Sequence, residues 1–94
     1  MNILKLLEEH ENEIRNKYHV KRIGIFGSYV RGEETEKSDV DILVEFEQST
    51  LSNFMGLNFF LEELLDKKVD LVTTNALSPY LSPKVKKEVV WCEG

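Results

Sequence analysis

Hydrophobic and polar residues follow two periods along this chain, one typical of helices and one typical of strands. Apolar side chains recur at helical spacing over residues 2–18, 53–66 and 83–90. Strands are predicted over residues 20–26, 39–47 and 69–73, where β-branched and apolar residues dominate or alternate with polar ones. This order predicts an α/β (α+β) domain, in which a small mixed β-sheet of at least three strands packs against helices.

Residues at the ends of these segments have the chemistry of helix caps and breaks. The predicted caps and breaks are Asn2, Ser52 and Ser82-Pro83 at helix starts, Gly32 at a helix end, and Pro79 and Pro83 as breakers. His10 completes the apolar stripe of the first helix and is interpreted as a core or boundary residue. The second helix is apolar over a wide arc, so Met55 or Phe59 is expected to be exposed to a partner.

The composition is that of one ordinary globular domain, and we expect it to span residues 1–94. No apolar run approaches the ~20 residues that cross a bilayer, so no membrane association is expected. Met1 opens onto a mixed pattern without a signal-peptide core, and Cys92 is the only cysteine. Both features favour a cytoplasmic location.

Acidic residues are concentrated in one stretch of the chain. The net charge is −5, residues 33–47 alone contribute −6, and the remainder sums to +1. Binding to a polynucleotide requires a broad basic surface. A long nucleic acid is therefore excluded as the expected substrate.

Two acids of this stretch lie two positions apart at the start of the second strand. Side chains at such spacing point to the same face, so Asp39 and Asp41 are predicted to project together, with Cα atoms roughly 6.5–7 Å apart. Neighbouring carboxylates repel each other unless a cation lies between them. Carboxylate oxygens favour Mg²⁺ or Mn²⁺, so the pair is a candidate metal site.

A Gly-Ser turn follows the first strand and precedes a predicted helical turn over residues 28–31. Backbone N–H groups and the Ser28 hydroxyl could bind a phosphate there, although Gly27-Ser28 could equally be only a turn. The third strand carries an acid, Asp70, between Val69 and Leu71. Taken alone, Asp70 fits either a solvated strand edge or a further site residue.

These residues together resemble the DNA polymerase beta-type nucleotidyltransferases, and in particular their minimal members that pair with HEPN-domain proteins. The family pattern is Gly-Ser-x-x-x-Gly, a spacer, Ser-Asp-x-Asp and a third Asp on another strand. Here it is matched by Gly27-Ser28, Gly32, Ser38-Asp39-Val40-Asp41 and Asp70. The resemblance covers essentially the whole chain and implies the minimal nucleotidyltransferase fold.

The resemblance implies a site that moves AMP from ATP, or another nucleoside triphosphate, to a hydroxyl. It implies that Asp39, Asp41 and Asp70 bind two Mg²⁺ ions, with Mn²⁺ as a substitute. It also implies that Gly27 and Ser28 hold the β- and γ-phosphates. Arg31 lies where its charge could offset the triphosphate, or it could form a surface salt bridge.

The resemblance also implies a partner. A helical HEPN toxin would be both binder and acceptor, and adenylylation of its tyrosine would silence it. The alternative is a non-catalytic antitoxin that neutralises its partner by contact, and a metal-binding globule without transfer activity is a third reading. The exposed second-helix face could serve a homodimer as readily as a HEPN protein.

Overall fold

The computed structural model describes residues 2–77 and 82–92. Pro79, predicted as a chain breaker, lies outside the described residues. Within them, the elements follow the order helix, helix, strand, short helix, strand, helix, strand, helix, strand. They are α1 (Ile3–Glu9), α2 (Glu11–Tyr18), β1 (Val20–Phe26), α3 (Ser28–Arg31), β2 (Val40–Phe46), α4 (Leu51–Leu65), β3 (Val69–Thr73), α5 (Ser82–Glu88) and β4 (Val90–Trp91).

The strands form one mixed sheet in the order β3-β2-β1-β4 among the described residues. β1 pairs antiparallel with both β2 and β4, whereas β2 pairs parallel with β3. A parallel pair requires a crossover connection, and α4 provides it between β2 and β3. The predicted mixed sheet of at least three strands packed against helices is therefore confirmed.

One face of the sheet carries the core. Alternate strand residues such as Ile23, Ile42 and Val44 are buried there in one cluster with apolar residues of α1, α2 and α4. Asp41 and Leu43 alternate with these residues, so their side chains point to the opposite face. Asp41 therefore lies on the face opposite this cluster, the same face as the buried Leu43.

The first predicted helix is divided into α1 and α2. His10 joins them with φ −112° and ψ 14°, outside helical geometry. Its ring lies 3.0 Å (Nδ1) from the Leu6 carbonyl oxygen and packs edge-on against Phe60, with ring centroids 6.3 Å apart. His10 is therefore a boundary residue, as predicted. The Asn2 cap is also confirmed, because its side chain accepts a hydrogen bond from the Lys5 N–H at 3.1 Å.

Two other predicted helix ends differ from the structure. The N-cap of α4 is Thr50 rather than Ser52, since the Thr50 hydroxyl accepts from the Asn53 N–H at 3.1 Å. The last helix ends at Glu88 rather than at residue 90, because Val90 and Trp91 pair with β1 as a fourth strand. This short strand places the buried Cys92 at the edge of the core.

α4 presents one apolar stripe to solvent, as the sequence predicted for Met55 and Phe59. The side chains of Leu51, Met55 and Phe59 lie one helical turn apart and are 73%, 61% and 64% exposed. No helix among the described residues is both long and apolar enough to cross a membrane.

Candidate active site

The turn after β1 brings the backbone against Asp41. Gly27 has φ 78° and ψ −148°, a conformation open essentially to glycine alone. A Cβ atom at this position would lie 2.0 Å from Oδ2 of Asp41. Only a residue without a side chain can therefore bring this turn so close to that carboxylate.

The turn leads directly into α3, a single helical turn. The Gly27 carbonyl accepts hydrogen bonds from the N–H groups of Val30 and Arg31, both at 3.1 Å. Gly32, with φ 72°, ends the helix, and the Glu33 N–H donates to the Ser28 carbonyl at 2.9 Å. The predicted helical turn and its glycine end are thus confirmed, and Ser28 is the first residue of the turn.

The sheet register brings two of the predicted acids side by side. Asp41 is opposite Phe26 on the antiparallel neighbour β1 and opposite Asp70 on the parallel neighbour β3. Asp41 is partly buried, whereas Asp39 and Asp70 are exposed. Asp39 precedes β2, so the three acids lie at one end of the sheet.

The electrostatic state of Asp41 shows that these acids act on one another. Burial raises the pKa of the Asp41 carboxyl, and the neighbouring charges of Asp70 and Asp39 raise it further. Arg31 acts in the opposite direction and lowers this pKa. A cation placed among the three carboxylates would relieve the repulsion.

The loop before β2 is closed by hydrogen bonds between Thr35 and Ser38, the residue that precedes Asp39. The Ser38 hydroxyl accepts from the Thr35 N–H at 2.8 Å, and the Ser38 N–H donates to the Thr35 carbonyl at 3.0 Å. On the other side, the Val40 N–H donates to the Lys68 carbonyl at 2.9 Å. Ser38 therefore stabilises the turn that leads into β2.

The donor chemistry fits Mg²⁺, but the acids do not form a finished cage. Within residues 2–77 and 82–92, no group of three or more His, Cys, Asp or Glu side chains is placed to hold a metal ion together. Mg²⁺ in proteins is commonly bound by one or two carboxylates, with phosphate oxygens and water completing its shell. Asp41 and Asp70 suit an ion that arrives with a nucleotide.

Arg31 is held by two carboxylates. Its guanidinium forms salt bridges to Glu33 and, at 2.5 Å, to Glu88 of α5. The hydrogen bond to Glu33 is the largest of the effects that raise the pKa of Arg31. Of the two roles that the sequence left open for Arg31, the structure displays the salt bridge.

A cavity of about 200 Å³ lies beside Asp41, between the Gly27 turn and α5. Its lining is Phe26, Gly27, Arg31, Asp41, Lys84, Val85 and Glu88. None of the α5 residues in this lining was among the site residues predicted from the sequence. Two larger open clefts elsewhere contain none of the predicted site residues.

Comparisons with a protein-family model and with known relatives indicate the same family. A protein-family model described as a nucleotidyltransferase domain matches residues 7–92. Protein adenylyltransferase MntA of Thermococcus cleftensis is 47% identical over 90 residues, which cover 95% of this chain and 91% of that protein.

Solved structures show the same fold. A provisionally named minimal nucleotidyltransferase has a TM-score of 0.81 at 35% identity, over 96% of this chain and 95% of that one. A toxin–antitoxin structure with AMP-PNP has a TM-score of 0.74 at 27% identity, over 93% of this chain and 73% of that one. The minimal nucleotidyltransferase fold implied by the sequence motif is therefore confirmed.

Proposed function

This chain belongs to the nucleotidyltransferase domain family, and from that premise we propose that it moves AMP from ATP to a hydroxyl group of a HEPN-type toxin, with Mg²⁺ as cofactor. The observation that carries the proposal is the register that places Asp41 between the Gly27 turn and Asp70. A phosphate-binding turn and a carboxylate pair then meet at one point. The similarity to MntA supports a protein as the acceptor.

Different residues of the chain would bind the metal and the phosphates. Asp41 and Asp70, with Asp39 beside them, would hold the metal, which when bound stabilises the attacking and leaving oxygens of the displacement. Ser28 and the Gly27 backbone would hold the β- and γ-phosphates. In the proposed reaction the acceptor oxygen would form a bond to the α-phosphorus while the bond from this phosphorus to the β-phosphate oxygen breaks, and pyrophosphate would leave.

The acceptor must approach from outside the chain. Asp39 and Asp70 are exposed, and the site lies open at one end of the sheet. The similarity to a toxin–antitoxin structure supports a partner protein as the source of the acceptor hydroxyl.

The first test is label transfer from α-labelled ATP to the HEPN partner. Asp41→Asn removes the charge at the centre of the acid group and keeps the shape of the side chain. We expect transfer to fall at least about 100-fold, because loss of a charged metal ligand costs several kcal/mol of transition-state stabilisation. The measurement is the initial rate of labelling, with the partner in excess.

The matched control is Asp66→Asn. Asp66 ends α4 with φ 51°, a conformation that asparagine adopts readily, and its side chain lies away from the cavity. Asp66→Asn should therefore transfer label at the wild-type rate. Labelling by Asp41→Asn at the rate of Asp66→Asn would contradict the proposal.

A contact antitoxin is the second candidate, favoured by the exposed stripe of Leu51, Met55 and Phe59. This protein would neutralise its partner by covering it, and the acids would be dispensable. The Asp39→Ala/Asp41→Ala double variant would then still inhibit the toxin, while Phe59→Lys would not. The opposite pattern of inhibition supports catalysis.

A further inference from the structure

The cavity beside Asp41 has two walls from distant parts of the sequence. The Gly27 turn and Asp41 form one wall, and Lys84, Val85 and Glu88 of α5 form the other. Val85 is buried, so α5 is anchored against the sheet at this point. Lys84 is thereby placed across the cavity from the proposed phosphate-binding turn.

Among the described residues, two basic and two acidic side chains line the cavity. Asp41 and Glu88 carry negative charge, whereas Arg31 and Lys84 carry positive charge. A nucleoside triphosphate adds several negative charges to this balance. Its phosphates therefore need a cation from the protein in addition to the metal.

Arg31 is poorly suited to that task in the observed arrangement. Its guanidinium is shared between Glu33 and Glu88, which together neutralise it and tie α3 to α5. Phosphate binding by Arg31 would require both carboxylates to be displaced. The positive charge of Arg31 is neutralised by these salt bridges, one of which holds α5 in position.

Lys84 is the other cation at the cavity, and its ammonium group is uncommitted. In the part of the chain that the structure describes, Lys84 forms no salt bridge. Its side chain is exposed, so it retains the freedom to turn onto a ligand at small cost. Lys84 and Glu88 lie one helical turn apart on the cavity side of α5, whereas Lys86 does not line the cavity.

We propose that Lys84 binds the triphosphate of the nucleotide from α5, across the cavity from Gly27. This inference rests on the proposed function, because it requires the cavity to receive a nucleoside triphosphate. In this proposal α5 takes part in substrate binding, and Lys84 is more than a solvent-exposed surface charge. The Arg31–Glu88 salt bridge then sets where Lys84 lies, so that Arg31 acts as a positioning residue.

The test is binding of Mg²⁺ with AMP-PNP to the purified chain, measured by calorimetry. Lys84→Ala should raise the Kd about tenfold or more, since a hydrogen bond to a charged group is lost. Lys84→Arg should restore binding to within a few-fold. The gap between wild type and Lys84→Ala should narrow as salt rises from about 0.05 M to 0.5 M, because screening weakens the contact.

Lys86→Ala is the matched control, with the same charge removed from the same helix outside the cavity lining. Both variants should have the wild-type melting temperature without nucleotide, because both lysines are exposed and alanine favours helices. Equal Kd values for Lys84→Ala and Lys86→Ala would overturn the inference alone. A wild-type chain that neither binds AMP-PNP nor labels its partner would overturn the proposed function, and this inference with it.

Discussion

At the scale of single residues, the contact between Gly27 and Asp41 defines the candidate site. The turn reaches the carboxylate because position 27 has no Cβ, and its φ of 78° with ψ −148° excludes other residues. Gly32, five positions later, has a similar φ of 72° but open space where a Cβ would lie. Both glycines are therefore required for their left-handed backbone conformation, but only Gly27 is also required because a side chain would collide with a neighbour.

Alanine substitution at these two positions should have different results. Gly27→Ala is expected to cost more than about 2 kcal/mol and to displace the Asp41 carboxylate, with loss of label transfer. Gly32→Ala should cost about 1 kcal/mol, the cost of a left-handed conformation, and retain transfer. Chemical denaturation and transfer rates measure both effects. Full transfer by Gly27→Ala would show that the close approach is dispensable.

At the scale of elements, the sequence predicted the long periodic segments well. α4 and the strands β1, β2 and β3 were predicted close to their observed bounds, since each has enough residues to display a period. β4 was missed because two residues carry no period. The break at His10 was missed because the apolar stripe runs through it, and the divided helix keeps the same face on the core.

The candidate site also contains features that the sequence predicted and features that it did not. The Gly27 turn was predicted from the sequence, whereas the association of Asp70 with Asp41 was implied only by the family resemblance; both are observed. Their roles in catalysis stay predictions. Lys84 could not be recognised, because the side of a short helix that faces a cavity is decided by tertiary packing at Val85 and Glu88.

The reactivity of Cys92, the residue directly after β4, can report whether this strand is in place. Burial, and then the carboxylates of Glu11 and Glu8, raise the pKa of the Cys92 thiol from 9.0 to about 11. The fraction of Cys92 present as the reactive thiolate at pH 8 is therefore about 100-fold lower than for a free thiol. Burial also shields the sulfur from reagents. We expect Ellman's reagent to react slowly with the native chain and rapidly in denaturant.

Trp91→Ala tests whether β4 provides this protection. The Trp91 ring stacks against Arg22, whose guanidinium carbon lies 4.0 Å from the ring centroid, so its loss should loosen the strand. The reaction of Cys92 should then accelerate at pH 8 under native conditions. An unchanged rate would mean that Cys92 is protected by the core independently of β4.

At the scale of the whole molecule, the net charge of −5 is dominated by the acids between residues 33 and 47. The fold brings Asp39 and Asp41 of this segment together with Asp70 of β3, and the three acids repel one another. A ligand that brings cations and further oxygen ligands should therefore stabilise the folded state by mass action.

Melting temperatures should distinguish the metal from the metal–nucleotide complex. Mg²⁺ alone at millimolar concentration should give a small rise, because the acids do not form a complete cage. Mg²⁺ with AMP-PNP at ten times its Kd should stabilise by about 1.4 kcal/mol, or roughly 5–10 °C in a domain of this size. AMP-PNP with a chelator is the control. No rise under either condition would contradict every metal-dependent function proposed here.

The salt bridge from Arg31 to Glu88 joins positions 57 residues apart and links α3 to α5 at the edge of the cavity. During synthesis, the Gly27 turn and Asp41 leave the ribosome well before α5 exists to complete the wall. The nascent protein therefore passes through a stage in which the sheet can form without a nucleotide pocket. A product that terminates before α5 lacks the far wall of the cavity, so, if the cavity receives the nucleotide as proposed, it should bind AMP-PNP more weakly than the full chain.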